Sequence, residues 1–96
     1  MFGKEEILKT EKLTPQEYDI LDELYFICTL DQLLKNLTMD DSELRNHLEQ
    51  LFRKGWVKVF YKGTEDEVES DEVSKGQFES YHFLATKAGL KAHNTL

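Results

Sequence analysis

Five basic residues in the middle of the chain have side chains that could bind an anionic ligand. A row of guanidinium and ammonium groups can neutralise phosphates, which is the main source of non-specific affinity for DNA. The other interpretation is an ordinary solvated face that balances nearby acids, and the sequence leaves both open. The five residues are Arg45, Arg53, Lys54, Lys58 and Lys62.

No arrangement typical of an active site or a metal site is found. The single cysteine, Cys28, follows an apolar run and is expected to be a buried, inert thiol. His47, His82 and His93 are far apart and lack the spacing of metal ligands. The chain also lacks a nucleophile elbow and a phosphate-binding glycine loop. We therefore expect a protein that is not an enzyme and has no cofactor and no metal.

The acidic residues are concentrated in two segments. The net charge is −7, and residues 65–72 alone hold six acidic residues and no basic one. Residues 14–27 contribute −4, whereas residues 31–62 carry six basic and five acidic residues. The run 65–72 is expected to be a solvated, flexible loop, with repulsion or mimicry of DNA as the functional alternative. It lacks the glycine and the spacing of a calcium loop.

The stretch from Thr29 to Val57 predicts two amphipathic helices, a tight turn between them and a strand after them. Its apolar residues recur at three- and four-residue intervals. They are Leu30, Leu33, Leu34 and Leu37 in the first helix, and Leu44, Leu48, Leu51 and Phe52 in the second. Asp41 or Ser42 is expected to cap the second helix, and Lys54-Gly55 to end it.

Other elements are predicted on both sides of this stretch. Thr14-Pro15-Gln16-Glu17 has the form of a capping box that starts an earlier helix. Short runs rich in β-branched and aromatic residues predict strands, and a final helix begins at Thr86 with Gly89 as a weak interior residue. The predicted strands are a very short one at 26–28, Trp56–Tyr61 and Phe78–Ala85, with a polar loop over 63–77.

The order of these elements predicts an α+β, mainly α, fold: a winged helix-turn-helix with a three-helix core, a two-stranded β-wing and a short C-terminal helix. Residues 1–96 form one domain. Its parts are an N-terminal arm at 1–13, a helical core at 14–57, the wing at 56–85 and the C-terminal helix at 86–96. The predicted core is Leu21, Leu24, Leu34, Leu44, Leu48, Leu51, Val57, Val59 and Leu84.

Several sequence features resemble the winged helix of the MarR family of bacterial regulators. They are the leucine pattern, Ser42 after the turn, and the junction Lys54-Gly55-Trp56-Val57 between helix and strand. Residues 81–89, YHFLATKAG, are similar to the strand and the helix start that follow the wing in that family. The resemblance covers most of residues 14–93.

This resemblance implies a small DNA-binding transcriptional regulator that places the helix at about 41–54 in the major groove. It puts Ser42, Arg45 and Asn46 on the exposed face of that helix, with Glu49 one turn further on. Serine and asparagine suit phosphate or adenine, and arginine suits guanine or phosphate. The implied DNA-contacting residues are Ser42, Arg45, Asn46, Glu49, Arg53, Lys54, Lys58 and Lys62.

The charge pattern supports an alternative, a winged-helix protein-interaction module with little or no DNA binding. The wing of the MarR family carries an arginine for the minor groove, whereas residues 63–74 contain six acids and no lysine or arginine. The start of the second helix would also bring negative charge close to the DNA phosphates, through Asp40, Asp41 and Glu43.

The apolar residues bear on whether the chain binds a partner or a membrane. Its apolar and aromatic residues exceed what one small core needs, so this surplus is expected to be exposed on the folded core. Part of it is expected to pack the N-terminal arm and part to form a homodimer contact, with a protein partner as the other possibility. No apolar run is long enough for a membrane span, so we expect a cytoplasmic protein. The surplus residues are Phe2, Ile7, Leu8, Tyr25, Phe26, Trp56, Phe60 and Phe83.

Overall fold

A computed structural model describes residues 13–94 of the chain. Apart from Leu13, the predicted N-terminal arm lies outside the described residues, as do residues 95 and 96. The described part contains four α-helices, one 3-10 helix and three strands. In chain order they are α1 (Pro15–Glu23), β1 (Cys28–Thr29), α2 (Leu30–Asn36), α3 (Asp41–Arg53), β2 (Val57–Tyr61), the 3-10 helix (Lys75–Ser80), β3 (Tyr81–Ala85) and α4 (Lys87–Asn94).

The three strands form one antiparallel sheet in the order β1-β3-β2. The hairpin register runs from Val57 opposite Ala85 to Tyr61 opposite Tyr81, and Cys28 of β1 lies opposite Phe83. The hairpin expected as a two-stranded wing is therefore part of a three-stranded sheet, whose short strand lies at 28–29 rather than at the expected 26–28. The α+β class is confirmed, with about half of the described residues helical.

Local capping fixes the start of each of the first three helices. Thr14 and Glu17 form the predicted capping box, with Thr14 N–H donating to Glu17 Oε1 over 3.0 Å. Thr29 caps α2 in the same way. The cap of α3 is Asp40 rather than Asp41 or Ser42, because the Asp40 carboxylate accepts from Glu43 N–H at 2.8 Å. Gly55, with φ of 82°, ends this helix as expected.

The second hairpin strand starts at Tyr81, three residues later than predicted. Every second side chain of β3 is buried, namely Tyr81, Phe83 and Ala85. A strand continued back to Phe78 would point this side chain to the opposite face, because side chains alternate with a period of two. The 3-10 helix interrupts this alternation of side chains, and Phe78 is fully buried as a result.

The core lies between the helices and one face of the sheet, and most of its predicted members are buried. Leu34 and Leu84 are half-buried instead, and the expected exposure of Phe83 and Trp56 is wrong. Cross-strand partners share a face of the sheet. Phe83 lies opposite the buried Val59, so Phe83 faces the core and Leu84 faces outward.

Candidate nucleic-acid interface

The exposed face of α3 is where the family resemblance implies DNA contacts. Leu44, Leu48 and Leu51 turn one side of this helix into the core. Ser42 and Asn46 are exposed, and Arg45 and Glu49 are half-buried on the outer part of the helix. The amphipathic pattern thus predicted the orientation of α3, although not the contacts made by its polar side chains.

Arg45 directs its guanidinium to acceptors on its own helix and on the 3-10 helix. Its Nε lies 3.0 Å from both carboxylate oxygens of Asp41, and its two terminal nitrogens donate to the Lys75 carbonyl oxygen (2.7 Å) and to Glu79 (3.0 Å). Its side chain is 20% exposed. A DNA base or phosphate would have to compete with two carboxylates and a backbone carbonyl for these donors.

Lys75 continues this set of contacts along α3. Its Nζ donates to Asn46 Oδ1 at 2.7 Å and lies 3.5 Å from Glu49. Glu49 in turn accepts from Arg53 at 3.2 Å. We call these side chains the α3 network, and they tie the helix to the 3-10 segment. Its members are Asp41, Arg45, Asn46, Glu49, Arg53, Lys75 and Glu79.

The α3 network favours the ionised form of two of its acidic members, Glu79 and Glu49. Hydrogen bonds from its own backbone N–H and from Arg45 lower the pKa of Glu79. The Arg53 hydrogen bond and the Lys75 ammonium lower the pKa of Glu49. Partial desolvation opposes the charge of Arg45, but its hydrogen bonds to Asp41 and Glu79 outweigh that effect and raise its pKa. This face of α3 thus presents compensated charges rather than a field that attracts phosphate.

The remaining predicted cations lie away from this network. Lys54 donates to Glu17 at 2.9 Å and lies 4.7 Å from the centre of the Trp56 ring, so it joins α3 to α1. Lys58 covers the Phe60 ring on the outer face of β2. Lys62 is exposed just beyond that strand. The structure therefore brings together four of the eight predicted residues, Arg45, Asn46, Glu49 and Arg53.

The acidic run 65–72 is fixed to the sheet, which corrects the expectation of a flexible loop. Val68 is 3% exposed, and its N–H donates to the Val59 carbonyl oxygen at 2.8 Å. Tyr61 N–H donates to the Asp66 carbonyl oxygen, and its hydroxyl donates to Glu72, which raises the pKa of Tyr61. The six acidic residues around this anchor are all exposed.

This acidic segment also approaches the end of α3. An open groove of about 340 Å³ is lined by Phe52 of that helix and by Glu67, Val68, Glu69 and Ser70. Carboxylates therefore lie near both ends of the helix expected to read DNA, since Asp40, Asp41 and Glu43 occupy its start.

An apolar turn between α1 and β1 is the other notable surface. Phe26 is 78% exposed, and its neighbours Tyr25 and Ile27 are 39% and 47% exposed. The exposure expected for Tyr25 and Phe26 is confirmed. Sequence analysis missed Lys75 and Glu79, because they lie about thirty residues from Arg45 and follow no local periodicity.

Residues 13–94 contain no group of three or more histidine, cysteine or acidic side chains placed to hold a metal ion. Burial, reinforced by the charge of Glu23, raises the pKa of the Cys28 thiol, so this thiol is held in its unreactive form. No helix in this part of the chain has both the length and the apolar character needed to cross a membrane.

Comparison of the chain with protein-family models, with curated proteins and with solved structures finds no significant match.

Proposed function

We propose that this chain is a winged-helix module that binds another protein through its apolar turn, residues 25–27. The order α1, β1, α2, α3, β2, β3 with a sheet ordered β1-β3-β2 supports the winged-helix assignment. The observation that carries the functional proposal is the exposure of Phe26, a large apolar side chain that is 78% accessible on an otherwise well-packed domain.

The turn is held in place from both ends. The Leu24 carbonyl oxygen accepts from Ala85 N–H at 3.0 Å, and the Tyr25 hydroxyl lies 3.0 Å from both His93 and Asn94. Directly after the turn, Cys28 is paired into the sheet. A partner would therefore meet a preformed surface, which reduces the entropy lost on binding.

Charge indicates the chemistry of the partner. Residues 19–31 carry four carboxylates and no basic side chain. Two copies that met through this segment would bring like charges together, which disfavours association. A partner with an apolar pocket and a basic rim would complement the turn and its neighbours, Asp19, Asp22, Glu23 and Asp31.

The state of α3 supports protein binding over DNA binding. Every polar contact of Arg45 is made inside the domain, and the acidic segment lies near Phe52 at the other end of the helix. DNA affinity depends mainly on cations that can neutralise phosphates. Because the cations on this face of α3 are already paired with carboxylates, few of them are available to neutralise DNA phosphates.

The experiment compares wild type with Phe26→Ser and Tyr61→Ser. Tyr61 is a second exposed aromatic residue, on β2. Proteins captured by wild type and Tyr61→Ser but lost with Phe26→Ser are purified and titrated calorimetrically. We expect Phe26→Ser to raise Kd at least about tenfold, as for an aromatic anchor, and Tyr61→Ser to leave it unchanged. If no purified candidate binds in a Phe26-dependent way, the proposal fails.

A DNA-binding regulator is the second candidate, supported by the exposure of Ser42 and Asn46 on the outer face of α3. Fluorescence anisotropy with mixed duplex DNA distinguishes it from the protein module. A regulator would bind at low salt, lose affinity steeply as salt rises and weaken with Arg45→Ala. The interaction module predicts no binding even at low salt. Sedimentation tests the homodimer that such a regulator would need for a two-fold operator.

A further inference from the structure

The exposed apolar surface extends from the turn onto α1. Within residues 13–94, five large apolar side chains are exposed, and four of them belong to α1 or to the turn that follows it. Tyr18 is the member on α1, and it is 36% exposed. The surface is therefore larger than the turn alone, and its members are Tyr18, Tyr25, Phe26 and Ile27.

The His93 ring connects Tyr18 to the turn. It stacks on the Tyr18 ring with centroids 4.2 Å apart, and it meets the Tyr25 ring edge-on at 5.2 Å. The Tyr25 hydroxyl also lies 3.0 Å from Asn94 Oδ1. Because His93 is buried, it is a fixed support for both exposed tyrosine rings. Tyr18 and the turn thus form one connected surface.

An open groove lies beside Tyr18 at the start of α1. It measures about 530 Å³, within the range of about 300–1,000 Å³ that is usual for ligand sites. The capping box holds one wall of the groove in place, since Thr14 Oγ1 accepts from Glu17 N–H at 3.1 Å. Three of the five lining residues are apolar or aromatic, so the groove suits an apolar side chain. The lining residues are Leu13, Thr14, Pro15, Tyr18 and Asp19.

Carboxylates border this surface and indicate the charge of its ligand. Asp19 lines the groove and makes no hydrogen bond or ion pair within residues 13–94. Asp22 lies three residues further along α1, and its side chain is 61% exposed. These charges would repel the phosphates of a nucleic acid or of an anionic membrane, and a second copy would bring the same carboxylates together. The complementary ligand is apolar and positively charged.

We propose that the groove and the turn form one docking surface for a basic amphipathic helix of another protein. The apolar side chains of that helix fill the groove and cover Phe26, and its lysine or arginine side chains pair with Asp19 and Asp22. This inference rests on the proposed function and adds to it a second contact and a class of partner.

The length of α1 sets the length of the partner helix. The groove lies at the start of α1, and the turn follows its end, nine residues later. At 1.5 Å per residue the two contacts are about 13 Å apart along the helix axis. A partner helix of about three turns spans this distance, with apolar anchors at i, i+3 or i+4, and i+7.

NMR titration with two synthetic peptides tests the surface. One is a helical peptide of about 14 residues with leucine on one face and lysine on the other, and the matched control has glutamate in place of every lysine. We expect the lysine peptide to shift the amide signals of Tyr18, Asp19 and Phe26 together, and the glutamate peptide to shift none of them. Shifts confined to the acidic segment 65–72, or no shifts up to about 1 mM peptide, would overturn the inference.

Two variants separate the groove from the turn. Asp19→Lys reverses an exposed charge of the groove, and Asp71→Lys makes the same change in the acidic segment. At about 0.15 M salt we expect Asp19→Lys and Phe26→Ser each to raise the Kd of the lysine peptide about tenfold, and Asp71→Lys to change it less than about twofold.

The pattern of losses distinguishes this inference from the proposed function. A loss with Phe26→Ser but not with Asp19→Lys would overturn the inference and leave the proposed function standing. A loss with Asp19→Lys alone would count against the turn, and thus against both.

The free protein tests the other possible occupants of the groove. We expect it to sediment as a monomer. A dimer whose contacts include Tyr18 would make a second copy the occupant. Nuclear Overhauser contacts between the Tyr18 ring and residues 1–12 of a monomer would make the start of the chain the occupant. Either result would overturn the inference.

Discussion

Lys54 and Glu17 form an ion pair that joins the end of α3 to the start of α1. The Lys54 ammonium lies 2.9 Å from Glu17 Oε2, and the other oxygen of this carboxylate accepts from Thr14 N–H. The Glu17 side chain is 5% exposed, whereas Lys54 retains 30% exposure. One carboxylate thus completes a helix cap and binds a cation that the family resemblance implied as a DNA contact.

Replacing Lys54 by methionine should destabilise the domain, because it leaves the buried Glu17 carboxylate without its cation. We expect a loss of about 2 kcal/mol, less than for a fully buried pair since Lys54 is partly solvated. Urea unfolding measures it, with the exposed Lys62→Met as the control. The double variant with Glu17→Gln should recover part of the loss. A Lys54 variant as stable as the Lys62 variant would show that the pair contributes nothing.

The α3 network should make stability depend on pH in the acidic range. The pKa of Glu79 is lowered in the folded state, so this group contributes stability above the pKa of an unfolded glutamate, about 4.3. That contribution is lost as pH falls through the lower, folded pKa. We therefore expect Glu79→Gln to unfold at lower urea than wild type at neutral pH.

The difference between Glu79→Gln and wild type should shrink as pH falls below about 4.3 and vanish once the carboxyl group is protonated in the folded state as well. Glu65→Gln, an exposed change in the acidic segment, is the control, because no hydrogen bond or ion pair of Glu65 is found in residues 13–94. A Glu79→Gln difference of the same size at neutral and at acidic pH would contradict the assignment of Glu79 to the Arg45 contact.

Local patterns predicted the elements of this fold because the forces that start and stop them act over a few residues. The Thr14–Glu17 capping box and the glycine that ends α3 are both contacts between near neighbours. The face of the sheet on which Phe83 lies could not be predicted in this way. It depends on which residue of the neighbouring strand lies opposite, here Val59. Cross-strand register is a long-range property of the sheet.

The candidate site was less predictable than the fold for the same reason. The leucine spacing correctly predicted that Arg45 and Asn46 lie on the side of α3 away from the core. Nothing in the nearby sequence indicated that Glu79, 34 residues later, would take up the Arg45 guanidinium. Composition also described residues 65–72 as a solvated run, although the single valine within it anchors the segment to β2.

Val68 should control the order of the acidic segment. It is the buried residue of that run, and its N–H bonds to Val59. Val68→Ser should cost about 1–2 kcal/mol through lost apolar burial. It should also speed amide exchange and proteolysis across residues 62–74. Val73→Ser, at a half-buried valine just beyond the run, is the comparison. Unchanged exchange in Val68→Ser would mean that the backbone hydrogen bonds alone hold the segment.

Gly89 illustrates how packing reverses a prediction from helix propensity. By propensity alone, Gly89→Ala would stabilise α4 by up to about 1 kcal/mol. In the structure a Cβ at this position would overlap the carbonyl group of Trp56. That carbonyl also accepts from Thr86 N–H at 2.9 Å, so it cannot retreat without breaking a hydrogen bond.

We therefore expect Gly89→Ala to destabilise the domain by about 2–4 kcal/mol, because α4 must move away from Trp56. Urea unfolding, with Trp56 fluorescence as the probe, measures both the stability and the disturbance at the contact. Ala88→Gly, at the exposed neighbouring position, should cost only about 1 kcal/mol through helix propensity. Gly76→Ala should have little effect, because its Cβ would make only an ordinary contact with Ser74. A Gly89→Ala variant more stable than wild type would show that α4 does not pack against Trp56 this closely.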